Sequence, residues 1–164
     1  MRGRRANGWL RMIIQEQVDR AYRVAYRLAY PVVQRLRGLL KLNQFVAVAV
    51  WLDDTVLAVR HSYKPGLTLV YGGVGRREDH RLAAARELQE EVCITIDRHT
   101  LRLVMATPDM HLYELRLTEP TELQIDRREV VEACFVHPGV LREARRGGKV
   151  GEYLRRHAGV GSDG

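Results

Sequence analysis

Residues 72–94 read GGVGRREDHRLAAARELQEEVCI, and the rest of the chain is understood outward from them. Gly72, Gly73 and Gly75 open a glycine-rich loop whose bare backbone lets a ligand come close. A helix over 79–92 follows, with Leu82, Ala85, Leu88 and Val92 expected on its apolar side. Glu87, Glu90 and Glu91 stand at i, i+3 and i+4 and so share one helical face. Such like charges repel by about 0.2–0.5 kcal/mol per pair, and something should offset that. Arg86 can reach Glu90 at i+4. A divalent cation would offset it more strongly, because hard carboxylate oxygens suit Mg²⁺ or Mn²⁺, which bridge protein carboxylates and phosphates. A helix N-terminus also favours anions. The pieces describe a site for a metal-complexed phosphate compound, weighed against a solvated acidic face after an ordinary turn.

Upstream, QFVAVAVWL (44–52) and TVLAVRH (55–61) are rich in Val, Leu and Trp, with Asp53 and Asp54 between them as a two-residue turn. This reads as a hairpin. SYKPG (62–66) is a loop, and residues 67–71 are a short strand. Downstream, strands are expected over 101–107, 110–117 and 130–136. A helix over 138–157 is expected to break near Gly147 and Gly148, with a frayed tail from 159 to 164. The order of helix, strands, helix, strands, helix predicts an α/β fold, a mixed sheet with helices on its faces.

The chain has 164 residues and a net charge of +7, placed unevenly. Residues 1–41 hold 10 Lys/Arg against 2 Asp/Glu, for +8, and the remainder carries −1. Residues 9–30 read as a helix: Tyr22, Tyr26 and Tyr30 recur every four residues beside Ala21, Ala25 and Ala29, and Arg20, Arg23 and Arg27 form a basic stripe. Pro31 should kink or end it, with a shorter helical piece from Val32 to Lys41. The basic arm suits an acidic partner, nucleic acid or an anionic membrane. It suits equally a helix showing its arginines to water while its apolar side packs on the body, or a homodimer interface. Two cysteines, Cys93 and Cys134, make no disulfide framework and no zinc cluster, so a reducing, cytoplasmic location is expected, peripheral to the membrane if the helix docks there. No stretch reaches the ~20 apolar residues of a membrane span. A cleaved signal is not expected, since Arg11 interrupts the apolar segment after the basic start.

The spacing across 72–94 resembles the Nudix box, G-x5-E-x7-R-E-U-x-E-E-x-G-U with U a bulky apolar residue. Gly72, Glu78, Arg86, Glu87, Leu88, Glu90, Glu91 and Ile94 match, and Cys93 stands where the family has glycine. The resemblance extends over roughly 44–140, with the hairpin and RHSYKPG before the box and the strands after it. It implies an α/β/α sandwich around a mixed sheet, divided as a basic helical extension (1–42), a Nudix-like hydrolase domain (43–158) and a flexible tail (159–164). It further implies metal-dependent hydrolysis of a diphosphate linkage in a nucleoside diphosphate-linked substrate, with water as nucleophile. A nucleotide-binding module without catalysis is the alternative.

By the same resemblance, Glu87, Glu90, Glu91 and the Gly72 carbonyl are the expected ligands of Mg²⁺ or Mn²⁺. Glu91 also helps to deprotonate water, Arg86 orients a ligand carboxylate, and Glu78 holds Arg86 or joins the outer metal shell. The family often takes its general base from outside the box. Glu129 is preferred here over Glu132, with His111 and Glu114 weaker. Arg60, His61, Tyr63 and Lys64, just before the box strand, are expected to hold phosphate and stack a base, with Tyr71 beside them. Arg77 stands where many members have glycine and adds positive charge near the phosphates. Gly75 stands where many have glutamate. A side chain at the Cys93 position, if its φ is positive, costs roughly 1 kcal/mol.

Overall fold

A computed structural model describes residues 14–25, 28–29, 32, 44–146 and 148–158. The strands are β1 (Phe45–Leu52), β2 (Thr55–His61), β3 (Val70–Gly73), β4 (Arg102–Ala106), β5 (Met110–Leu117) and β6 (Val130–Val136). The helices are α1 (His80–Val92), α2 (Arg142–Arg146) and α3 (Gly148–Ala158). All six strands form one mixed sheet in the order β4-β5-β1-β2-β6, with β3 also on β1. β1 is central. It runs parallel to β5 along its whole length, antiparallel to β3 through Phe45–Val48, and antiparallel to β2 at Trp51 and Leu52.

β1 shows why the sequence gives two layers of helix. It is apolar throughout because both its faces are covered. Val46, Val48 and Val50 point to one side and pack with Leu57, Val59, Leu88 and Val92 under α1. Ala47, Ala49 and Trp51 point to the other and pack with Leu141, Ala144 and Leu154 of the C-terminal segment. The small alanines let that segment come close, and the Trp51 indole donates to Tyr153 Oη at 2.9 Å. The expected α/β/α sandwich is what the chain forms.

The hairpin of β1 and β2 lies as expected, with Asp53 in the turn at φ +52°. The strand expected at 67–71 is shifted: Thr68 makes one bridge to Val59, while Gly72 and Gly73, expected in a loop, pair with Val46 and Phe45. Beyond β6 the chain makes a 3-10 turn at Pro138–Val140, then α2 and α3, and Gly148 begins α3 with φ +82°. Gly147 and the tail from 159 lie outside the described residues. Leu82, expected on the apolar side of α1, is 44% exposed. The inward face of α1 carries Ala83, Ala84, Glu87, Leu88, Glu91 and Val92, so two carboxylates take places an apolar stripe would fill.

Residues 14–25, 28–29 and 32 are helical, which bears out the extension in part. Tyr26, Arg27, Tyr30, the kink at Pro31 and the piece from 33 to 41 lie outside the described residues. The orientation with apolar side inward is overturned. Asp19 is buried, Tyr22 lies under the Arg128 guanidinium at 5.8 Å, and Arg23 is half-buried, while Ile14, Val18 and Leu28 are 56%, 52% and 73% exposed. No helix among the described residues is long and apolar enough to cross a membrane.

Candidate active site

α1 begins under good control. Asp79, extended at φ −69° and ψ 137°, caps it by accepting from the backbone N–H groups of Arg81 and Leu82 at 3.0 Å each. Such a cap is worth about 1 kcal/mol. The helix ends at Cys93 in the left-handed region, φ +57° and ψ +25°, with the Cys93 and Ile94 N–H groups returning to the Gln89 and Leu88 carbonyls at 3.2 Å each. This is the glycine-type stop, made here with a side chain. Arg77 also has positive φ, at +67°. Both residues that stand where the resemblance expects glycine therefore adopt a glycine-favoured backbone.

The trio lies on one face of α1, with Glu87 and Glu91 buried and Glu90 exposed. Glu87 lies against β3: a Cβ at Gly72 would fall 2.0 Å from Glu87 Oε1, so only glycine admits this carboxylate. Arg86 ties the cluster together. Its Nε donates to Glu78 Oε1 at 2.9 Å, Nη1 to Glu87 Oε1 at 2.7 Å and Glu90 Oε2 at 2.9 Å, and Nη2 to the Gly73 carbonyl at 2.9 Å. Glu78 also accepts the Gly75 N–H at 2.6 Å. Glu78 thus holds Arg86, and Arg86 aligns two of the three carboxylates.

Glu91 is the least satisfied of the set. It is 3% exposed, its Oε1 meets His61 Nε2 at 2.7 Å, and its Oε2 is buried with no hydrogen-bond partner. Burial and the neighbouring charges of Glu129 and Glu90 push its carboxyl well above the usual range, against the pull of the Tyr71 backbone N–H. Burial pushes Glu87 up to about 7, although Arg86 opposes it. Burial likewise holds His61 down, to about 4. Held down to about 4, His61 is neutral at neutral pH, so its contact with Glu91 is a hydrogen bond and not an ion pair.

Among the described residues no three His, Cys, Asp or Glu side chains stand ready as a metal-binding group. Arg86 lies between Glu87 and Glu90. The donors nevertheless fit a hard divalent cation. Glu91 Oε2 is an orphaned buried oxygen, Glu87 rests in a cradle that a Cβ would fill, and the other donors are carboxylate and backbone oxygens. Glu78 and the Gly73 carbonyl hold Arg86 independently of its contacts with Glu87 and Glu90.

The remaining candidates separate. Glu129 stands near: its charge acts on both Glu91 and His61, and Tyr63 Oη reaches its Oε1 at 3.4 Å. Glu132 pairs with Arg60 on the β2–β6 ladder. Glu114 is on the opposite sheet face, held by Arg102 at 2.7 Å, Arg116 at 3.0 Å and Tyr153, which removes it as a base. His111 stacks on His80 at 4.0 Å between ring centroids, beside the start of α1. Arg60, Tyr63 and Lys64 line a cavity of about 440 Å³ with Arg23, Pro65 and Val131. His61 borders it, but its side chain is fully enclosed, so it positions Glu91 and cannot stack a base. Arg77 is exposed and lines neither this cavity nor the next.

A second cavity of about 330 Å³ lies between the sheet and α2–α3, lined by Phe45, Leu69, Tyr71, Met110, Lys64 and Glu143 among others. Lys64 joins both cavities and donates to Tyr71 Oη at 3.1 Å. Glu143 was missed by sequence reasoning. It sits in REARR (142–146), inside the helix expected over 138–157, and no local spacing signals that its Oε2 is buried. His61 as partner of Glu91 was missed too, and the one signal is its place at the end of β2, two residues after the buried Val59 and next to the exposed Arg60.

The family described as "NUDIX domain" matches residues 42–155. Among solved structures, an Ap4A hydrolase from C. elegans is similar at 20% identity and TM-score 0.54, covering 69% of this chain and 94% of that one. The E. coli dihydroneopterin triphosphate pyrophosphohydrolase is similar at 15% identity and TM-score 0.55, covering 70% and 96%. The protein DR0079 from Deinococcus radiodurans is similar at 21% identity and TM-score 0.53, covering 69% and 81%. At these identities the likeness shows the fold. No curated protein matches the chain by sequence.

Proposed function

The chain belongs to the Nudix hydrolase family, and from that premise we propose that it hydrolyses the diphosphate linkage of a nucleoside diphosphate-linked compound, with water as nucleophile and Mg²⁺ or Mn²⁺ as cofactor. One observation carries this reading: Glu91 is buried with an unpartnered oxygen beside Glu87 on the same helix. Burying carboxylates without compensation works against folding. A domain that only bound a nucleotide would gain by losing them. Two of the similar structures are an Ap4A hydrolase and a dihydroneopterin triphosphate pyrophosphohydrolase, in keeping with a polyphosphate substrate.

Glu87, Glu90, Glu91 and the Gly72 carbonyl would hold the cation. Bound there, it neutralises the diphosphate and lowers the pKa of water. The chain's own residues do the rest. Arg86, anchored by Glu78, fixes the direction of Glu87 and Glu90. His61 keeps Glu91 in place. Arg60, Tyr63 and Lys64 bind the phosphate-linked moiety in the 440 Å³ cavity. Glu129 takes the proton of the attacking water as its oxygen bonds to phosphorus and the bridging P–O bond breaks, in a step governed by positioning and electrostatics. The test is a panel of diphosphate compounds assayed with Mg²⁺ and with Mn²⁺, with Glu90→Gln as the blank. Hydrolysis of at least one compound by the wild type alone is expected. Equal behaviour on every compound would reject the proposal for that panel.

A further inference from the structure

The N-terminal helix is oriented against the usual rule. A helix on a globular body turns its apolar stripe inward and its charges to water. Here Asp19 is buried, Tyr22 meets Arg128, and Arg23 lines the 440 Å³ cavity with its Nε buried. These residues mark the side facing the body. Ile14, Val18, Ala21, Ala25 and Leu28 recur at spacings of four, three, four and three, so they form one stripe along a different face. All five are exposed, and Val32, four residues on, is 58% exposed. Such a continuous apolar row in water, large at Ile14, Val18, Leu28 and Val32, marks a contact surface.

Charge selects the occupant. Residues 1–41 carry +8 and the rest of the chain −1, so the stripe belongs to the one strongly cationic part of the chain. A second copy would bring another +8 against it. Two paired helices are joined by opposite charges flanking the apolar seam, whereas this stripe is flanked by Gln17, Tyr22 and Val24. A nucleic acid would take the arginines and leave the stripe uncovered. An anionic bilayer takes both, since an interfacial helix sinks a broad apolar face between headgroups while its basic residues reach the phosphates.

We propose that this helix docks the protein on an anionic lipid surface through Ile14, Val18, Ala21, Ala25 and Leu28. Arg23 lies on the cavity side of the same helix, so docking brings the cavity beside His61 within about one helix diameter, ~10 Å, of the headgroups. The proposal does not rest on the hydrolytic reading, because its test measures binding alone.

The experiment is co-sedimentation of the full chain with phosphatidylcholine vesicles, with and without phosphatidylserine, in low and in high salt. Binding to the phosphatidylserine vesicles is expected, at least about tenfold weaker without that lipid or in high salt. Val18→Asp with Leu28→Asp should weaken it a further tenfold or more with an unchanged thermal midpoint, since both residues are exposed. Arg20→Gln, a milder change, should weaken it about fivefold. Absence of binding by the wild type overturns the proposal. So does a Val18→Asp/Leu28→Asp protein that binds as well as wild type, which would mean charge alone. A wild-type dimer by light scattering that this variant converts to monomer would overturn it too, with a second copy as the occupant.

Discussion

Two glutamates are buried to the same degree on opposite faces of one sheet. Glu114 and Glu91 are each 3% exposed. Glu114 receives Arg102, Arg116 and Tyr153, and although burial pushes its carboxyl up, these hydrogen bonds outweigh that and hold it below the usual range. Glu91 receives His61 on Oε1, its buried Oε2 makes no geometric hydrogen bond, and against the pull of the Tyr71 N–H its carboxyl is pushed well up. The first is satisfied and ties the sheet to α3. The second is left short of partners at the place where a cation and a diphosphate would complete it. Incomplete satisfaction of a buried charge separates a site from a strut.

The comparison breaks most visibly by exchanging each acid for its amide. Glu91→Gln should lower kcat by about 10³-fold or more, while leaving metal-free stability equal or slightly higher. Glu114→Gln should leave kcat within about threefold and cost about 2 kcal/mol in denaturant unfolding, because two arginines lose their counter-charge and one of the two acceptor oxygens becomes a donor amide. Next in size, Glu129→Gln should lower kcat by about 10²-fold or more with little change in KM, as the loss of a general base requires. A fall of only a fewfold would remove Glu129 from that role.

How much of this was legible in the sequence follows from range. The trio, the glycines before it and the Arg86 link lie within 23 residues of chain and follow from helical spacing. The hairpin and the two-faced burial of QFVAVAVWL follow from pattern as well. His61 meeting Glu91 and Tyr153 meeting Glu114 are contacts across 30 and 39 residues that no local rule supplies. The N-terminal helix was legible as a helix, but its direction was not, because periodicity finds a stripe without saying what covers it.

Stability against pH should sharpen the contrast. Glu87, held up to about 7, and Glu91, also held well above the usual range, keep protons in the folded state that the unfolded chain has released, so stability falls as pH rises above the ordinary carboxylate range. His61, held down to about 4, acts oppositely: stability rises with pH from about 4 to 6.5 and then levels. Above pH 6.5 the acids act alone. The metal-free midpoint should therefore decline as pH rises past 6.5, and the decline should be reduced in Glu91→Gln and retained in Glu114→Gln. Smallest is the helix stop. Cys93→Gly should stabilise by about 1 kcal/mol with unchanged kcat, since it relieves a left-handed backbone at an exposed helix cap whose side chain is none of the proposed ligands.

The most direct test is Mn²⁺ binding to the full chain by electron paramagnetic resonance, for wild type, Glu91→Gln and Glu114→Gln. Binding by wild type and Glu114→Gln, with loss of about tenfold or more in affinity for Glu91→Gln, is the predicted result. A wild type that binds no Mn²⁺, or a Glu91→Gln protein that binds it equally well, would contradict the account.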